Sequence, residues 1–175
     1  MRNRALVLLC MLSFNSNLFS QQLAVFNTTM QPGGKSYLSI TNKKTYTESE
    51  AADVKTTIDL GLILTKDKVS PKLEWYNLSG KDGKVPDKLT GTSAKINALS
   101  FDKDQFDKCK TADDLKRMTG HITPNSFSHF AVVSHTKNEI NQHCFIVETI
   151  NGKRALLWIT KGTNDDYKIE LKQQP

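Results

Sequence analysis

The chain has 175 residues, with 24 lysines and arginines against 18 acids and a formal net charge of +6. That length is one domain's worth once a targeting segment is set aside. The lysines are scattered through NKK, TKDK, SGKDGK and LKQQ with acids between them, which describes a solvated surface and argues against a nucleic-acid groove.

Residues 1–20 have the three parts of a secretory signal: Arg2 and Arg4, an apolar run from Ala5 to Phe14, and a polar stretch ending in Ser20. Ten apolar residues fall short of the roughly 20 needed to cross a bilayer, so no transmembrane segment is expected after signal removal. Cys10 lies inside the apolar run, behind Leu9 rather than a small residue, and reads as a bystander rather than an acylation site. Cleavage after Ser20 removes two arginines and no acids, which takes the net charge from +6 to +4. The expected location is periplasmic or secreted, and the expected partner is an extracytoplasmic ligand or envelope component.

Residues 21–35 hold the turn formers Pro32, Gly33 and Gly34 and little period, and read as a flexible lead-in. A single β-rich domain is expected over 36–175. SYLSIT has strand propensity, and TIDLGLILT sets Ile58, Leu60, Leu62 and Leu64 at period two. Between them Thr47 and Glu50 form a capping box for one helical turn. KLEWYN reads as a strand, and LSGKDGKVPDKLTGTS as the longest loop. Residues 101–119 form the helical insert, with Ser100 as the expected cap, Phe106 and Cys109 on one face, and a second capping box at Thr111 and Asp114. Leu115 and Met118 fill that second helix, and Gly120 stops it.

The C-terminal segments SHFAVVSHT, CFIVETI, RALLWIT and YKIELK read as a four-stranded meander. Asn151-Gly152 is read as a two-residue hairpin turn, which sets Val147 opposite Leu156 and Phe145 opposite Trp158. The last strand alternates Tyr167, Ile169 and Leu171 with Lys168, Glu170 and Lys172, so one face should be wet and the strand near an edge.

His129, His135 and His143 crowd one stretch with Cys144. Six strand residues separate His129 from His135, about 20 Å, too far for one metal ion. His135 and His143 meet if their strands pair as a hairpin, and are the candidate ligands for a divalent metal or haem, with His121, His129 or Glu139 as further donors. A His143/Cys144 dyad fails, because neighbouring strand residues point to opposite faces. Cys109 and Cys144, even in number in an oxidising compartment, are either one disulfide or two buried thiols. The aspartates of DKDQFD lack the glycine and glutamate of a calcium loop and suit a helix start instead. No residue is assigned as catalytic.

KSYLSITNKKTYTESEA, TIDLGLIL and FIVETINGKRALLWITKGTNDDYKIELK resemble small exported β-rich proteins of Bacteroidetes-type bacteria, and distantly the HmuY-type haem-scavenging proteins. Ile58-Asp59 stands where that haem family shows Trp-Asp, and its two axial histidines match no positions here, so the resemblance implies a fold and a compartment without a ligand set. The expected fold is α+β, mainly β: an antiparallel sandwich or strongly bent sheet. The expected function is non-catalytic binding, with haem or metal scavenging and hydrolysis of an envelope polymer as the alternatives.

Overall fold

The computed structural model describes residues 21–65, 72–80, 85–92, 94–134 and 142–175. In chain order these form β1 (Ala24–Met30), β2 (Tyr37–Ser39), β3 (Lys44–Tyr46), α1 (Glu48–Asp53), β4 (Leu60–Thr65), β5 (Lys72–Tyr76), β6 (Lys95–Leu99), α2 (Lys103–Lys108), α3 (Ala112–Thr119), β7 (Phe130–Ser134), β8 (Gln142–Glu148), β9 (Arg154–Lys161) and β10 (Tyr167–Gln173). Two five-stranded sheets result, in the orders β1-β10-β9-β8-β6 and β3-β2-β4-β5-β7, with antiparallel pairing throughout. The mainly-β sandwich expected from the sequence is the fold. Among the described residues no helix is long and apolar enough to cross a membrane.

Period-two patterning builds the layer between the sheets. Leu60, Leu62, Leu73 and Trp75 meet Phe145, Val147, Leu157, Ile159, Ile169 and Leu171 across it. The Trp75 ring stands edge-on to Phe145 at 5.8 Å, a favoured aromatic geometry. Its buried Nε1 has no hydrogen-bond partner among the described residues.

Both outer faces carry helices. On the first sheet, Cys144, Ile146, Leu156 and Trp158 pack under Phe106, Cys109 and Leu115 of the α2–α3 region. On the second, Tyr37, Tyr46 and Tyr76 pack under Ala51 of α1 and Leu89 of a 3-10 turn at 87–89. Capping fixes where the helices begin. Thr47 with Glu50, and Thr111 with Asp114, form the boxes expected of them. α2 is capped by Asp102 with Gln105 instead of Ser100. Asp102 reaches the Gln105 N–H at 2.7 Å, and Gln105 can answer the Asp102 N–H, reciprocity that Ser100 cannot achieve two residues upstream.

Four other expectations are corrected. Residues 24–30 are no lead-in: seven of them pair with β10 as the edge strand β1, which moves β10 away from the edge. The C-terminal meander has three strands, β8-β9-β10; the fourth segment, β7, crosses to the second sheet and pairs with β5. Its Phe130 and Val132 are 40% and 44% exposed, so they do not share a core face with Cys144. The β8–β9 hairpin is shifted by one residue. Thr149 and Lys153 close a three-residue loop, Gly152 takes φ +73°, and Phe145 faces Leu157 while Cys144 faces Trp158. A left-handed third residue is the usual end of a three-residue hairpin, and glycine adopts it without a Cβ penalty. Because strand side chains alternate, this slip sends Trp158 outward to Phe106 at 5.8 Å.

The wet face expected of β10 is also only partly wet. Lys168 is exposed, but Lys172 is 6% exposed beneath α2. Its Nζ donates to the carbonyls of Phe106 (2.7 Å), Cys109 (3.1 Å) and Asp107 (3.4 Å) and lies 4.4 Å from the centre of the Phe106 ring. A strand lysine thus caps the C-terminus of a six-residue helix, where the helix dipole favours a cation.

Candidate functional site

The hairpin between β7 and β8 on which the His135/His143 pairing rests does not form. β7 and β8 lie in different sheets, so the register that set His135 against His143 is not formed. His135 and Glu139 lie outside the described residues. His143 is half-buried on β8 opposite Ile159, its ring nearly parallel to Phe145 two residues on. His121 is exposed after α3, and His129 precedes β7, its carbonyl accepting from the Asn77 N–H at 2.8 Å. Among the described residues no group of three or more His, Cys, Asp or Glu side chains could hold a metal ion.

Cys109 and Cys144 are free thiols, both buried in the cluster under α2 and α3. Burial pushes Cys109 up to about 11 and Cys144 up to about 12, the neighbouring Cys109 adding to the second shift. A thiol is nucleophilic as its thiolate, so neither group is primed for chemistry. With both thiols reduced, an aromatic disulfide reagent at pH 8 is expected to titrate neither in the folded protein and both after unfolding in guanidinium. Rapid modification of one thiol in the native state would contradict this packing.

Asp59 is a buried carboxylate just before β4. Desolvation raises it to about 6, against the lowering effect of backbone N–H groups of Ile40 and Thr41, the first at 2.8 Å. Those bonds hold the turn between β2 and β3 to the start of β4, a structural task.

One opening lies beside β4. A cleft of about 590 Å³ is lined by the turn after β1 (Gln31, Pro32, Gly33), by Ser36, Tyr37, Glu48, Leu62, Ile63, Leu64, Tyr76 and Pro86, and by Asn164 and Asp165 between β9 and β10. Its volume is in the usual range for ligand sites. Two other openings share none of these residues, one of about 300 Å³ by Gln173 and Arg154 and one of about 490 Å³ by Trp158 and Lys168.

The wall of the cleft is built by cross-strand register. Tyr37, Gly61 and Tyr76 form one row across β2, β4 and β5. Gly61 has no side chain, and the Tyr76 ring occupies the vacancy: a Cβ there would lie 2.5 Å from its Cζ. This brings the two phenols together over the glycine. The two hydroxyls share a hydrogen bond in which either can be the donor. Desolvation raises both, so both remain neutral donors and acceptors near neutral pH.

Glu48, at the start of α1, forms the outer rim and pairs with Lys88 at 2.7 Å. Among the described residues the lining carries two carboxylates, Glu48 and Asp165, and no lysine or arginine, with Lys88 standing against Glu48 from outside it. Sequence reading missed the cleft because its groups come from separate elements; the available signal was Gly61, a lone glycine within a hydrophobic run. Compared with known proteins, the chain matches no family model, no curated protein and no solved structure.

Proposed function

We propose that this protein is an exported, non-catalytic binding protein of the cell envelope, and that its ligand sits in the cleft beside β4. The signal-like residues 1–20 support the compartment. The cleft itself carries the binding reading: its volume is that of a ligand site, and the edge of Leu62, Ile63 and Leu64 lies among a few convergent polar groups, the phenols of Tyr37 and Tyr76 and the carboxylates of Glu48 and Asp165. Two neutral phenols and two carboxylates fix a ligand's orientation by hydrogen bonding. Asp59, the buried carboxyl that desolvation raises towards neutrality, is bound to backbone amides and is not part of the lining.

The test is a thermal-shift and NMR titration of the mature chain against short peptides and linear oligosaccharides. A true ligand at 100 times its dissociation constant stabilises the fold by about 2.7 kcal/mol. It should shift the amides of Tyr37, Ile63, Tyr76 and Asn164, and Tyr37→Phe should reduce the gain. Ligand-induced shifts confined to another face of the sandwich would refute the assignment.

A further inference from the structure

We propose that the cleft takes an extended peptide segment carrying basic residues, added as a short strand to the free edge of β4. This rests on the reading that the cleft is the ligand site.

The lining contains three consecutive residues of one strand, Leu62, Ile63 and Leu64. Successive strand side chains point to opposite faces, so an opening that touches all three looks onto the strand's edge. The hydrogen bonds say which edge. The Leu62 N–H donates to the Ser36 carbonyl at 2.9 Å, so the backbone groups of Leu62 face β2. All of Gly61–Thr65 lie in register with β5, and since Leu62 turns to β2, alternation turns the backbone groups of Gly61, Ile63 and Thr65 to β5. By the same alternation the N–H and C=O of Leu64 face the β2 side.

β2 does not extend that far. Its ladder with β4 covers Tyr37 and Leu38, against Gly61 and Leu60. Upstream, the chain turns away at Gln31–Gly34, closed by the Gly34 N–H to the Gln31 carbonyl at 3.0 Å. The Ser36 N–H bonds the Gly34 carbonyl, also at 3.0 Å, instead of returning to Leu62. The Leu62 carbonyl and both Leu64 groups therefore border the cleft where β2 would have continued. Among the described residues no strand pairs with this edge beyond Leu62.

Such an edge is a template for another extended backbone, which alternates donors and acceptors at the spacing these groups require. The walls state the side-chain preference. Glu48 comes from α1, where Lys88 pairs with it at 2.7 Å, and Asp165 from the turn before β10, in opposite walls. Among the described residues no lysine or arginine is part of the lining itself, so a ligand lysine at Glu48 would compete with Lys88. In an added strand, neighbouring side chains point to opposite walls, so two adjacent lysines would each meet a carboxylate. A saccharide can use the phenols and carboxylates, but it cannot reproduce a strand's pairing with Leu64.

The probe is acetyl-Val-Lys-Lys-Val-amide, titrated into the isotope-labelled mature chain. The expected result is a shift of the Leu64 amide with slowed hydrogen exchange. N-methylation of the central peptide amide should weaken binding about tenfold, the loss of one backbone bond that leaves its partner unpaired. Glu48→Gln should weaken it a few-fold and leave acetyl-Val-Val-Val-Val-amide unaffected, as a solvent-exposed ion pair would. Equal binding of the N-methylated peptide would overturn strand addition. Maltotriose shifting Tyr37 and Tyr76 when the peptide shifts nothing would overturn the peptide and keep the cleft as a binding site. Protection of Leu64 that depends on protein concentration alone would assign the edge to a second copy and overturn the peptide. No perturbation by either probe would overturn this inference and remove the support for the cleft.

Discussion

Between about pH 4 and about pH 8 the native protein is expected to lose about 2 to 3 kcal/mol of stability that an Asp59→Asn variant keeps. Asp59 holds its proton up to about pH 6 in the fold, against an ordinary value of 3.8. In that window the native state binds more protons than the unfolded chain. Unfolding then releases protons, so raising the pH favours it. The favourable contribution is complete below the unfolded value and disappears as pH rises through the folded one. This is opposite in sign to the behaviour of Glu50 and Asp114, whose capping hydrogen bonds hold them below the ordinary carboxylate range and which stabilise at higher pH. The comparison with Asp59→Asn cancels those contributions, since the variant retains an acceptor oxygen for the turn amides but has nothing to titrate. Urea denaturation of both proteins at several pH values measures the difference. Parallel stability profiles would mean that Asp59 is solvated or paired in solution.

What could be read from the sequence was what local chemistry decides. A capping box needs two residues three apart, so Thr47 with Glu50 and Thr111 with Asp114 were legible. Period two likewise located β4 and β10, and the apolar runs CFIVETI and RALLWIT located β8 and β9. Two failures were local, the α2 cap set at Ser100 instead of Asp102 and the loop closed by Thr149 and Lys153; the others concern partners distant in sequence. A five-residue apolar strand such as β7 suits either sheet, and only its pairing with β5 separates His129 and the segment after it from β8. The β8–β9 register turned on one loop residue: Asn151-Gly152 fits a two-residue turn, but Thr149 and Lys153 close the loop one position wider. The cleft was hidden more deeply. It arises where β2 ends before β4 does, and no residue type marks an absent neighbour.

Lys172 tests the same limit through stability. Lys172→Ala is expected to lower the free energy of unfolding by about 3 to 5 kcal/mol, a core truncation combined with lost charge-assisted bonds. Its alternation with Ile169 and Leu171 marks it as a surface position, where the expected loss would be about 0.5 kcal/mol or less. Three carbonyls at the end of α2, those of Phe106, Asp107 and Cys109, converge on its ammonium, and the Phe106 ring lies against it. Desolvation lowers its pKa, while Glu170 and Asp107 act to keep it charged. Lys172→Met separates the two contributions. Methionine restores most of the stem's packing on Phe106 but cannot donate, so about 2 kcal/mol should remain lost through the unpaired carbonyls. If the methionine variant is as stable as the native protein, the carbonyls find water and packing alone holds α2 in place. If both variants are nearly neutral, α2 does not sit over β10. An intermediate methionine value would locate the stabilisation in the hydrogen bonds that join the last strand to the helix, the contact that turns a strand lysine into a helix cap.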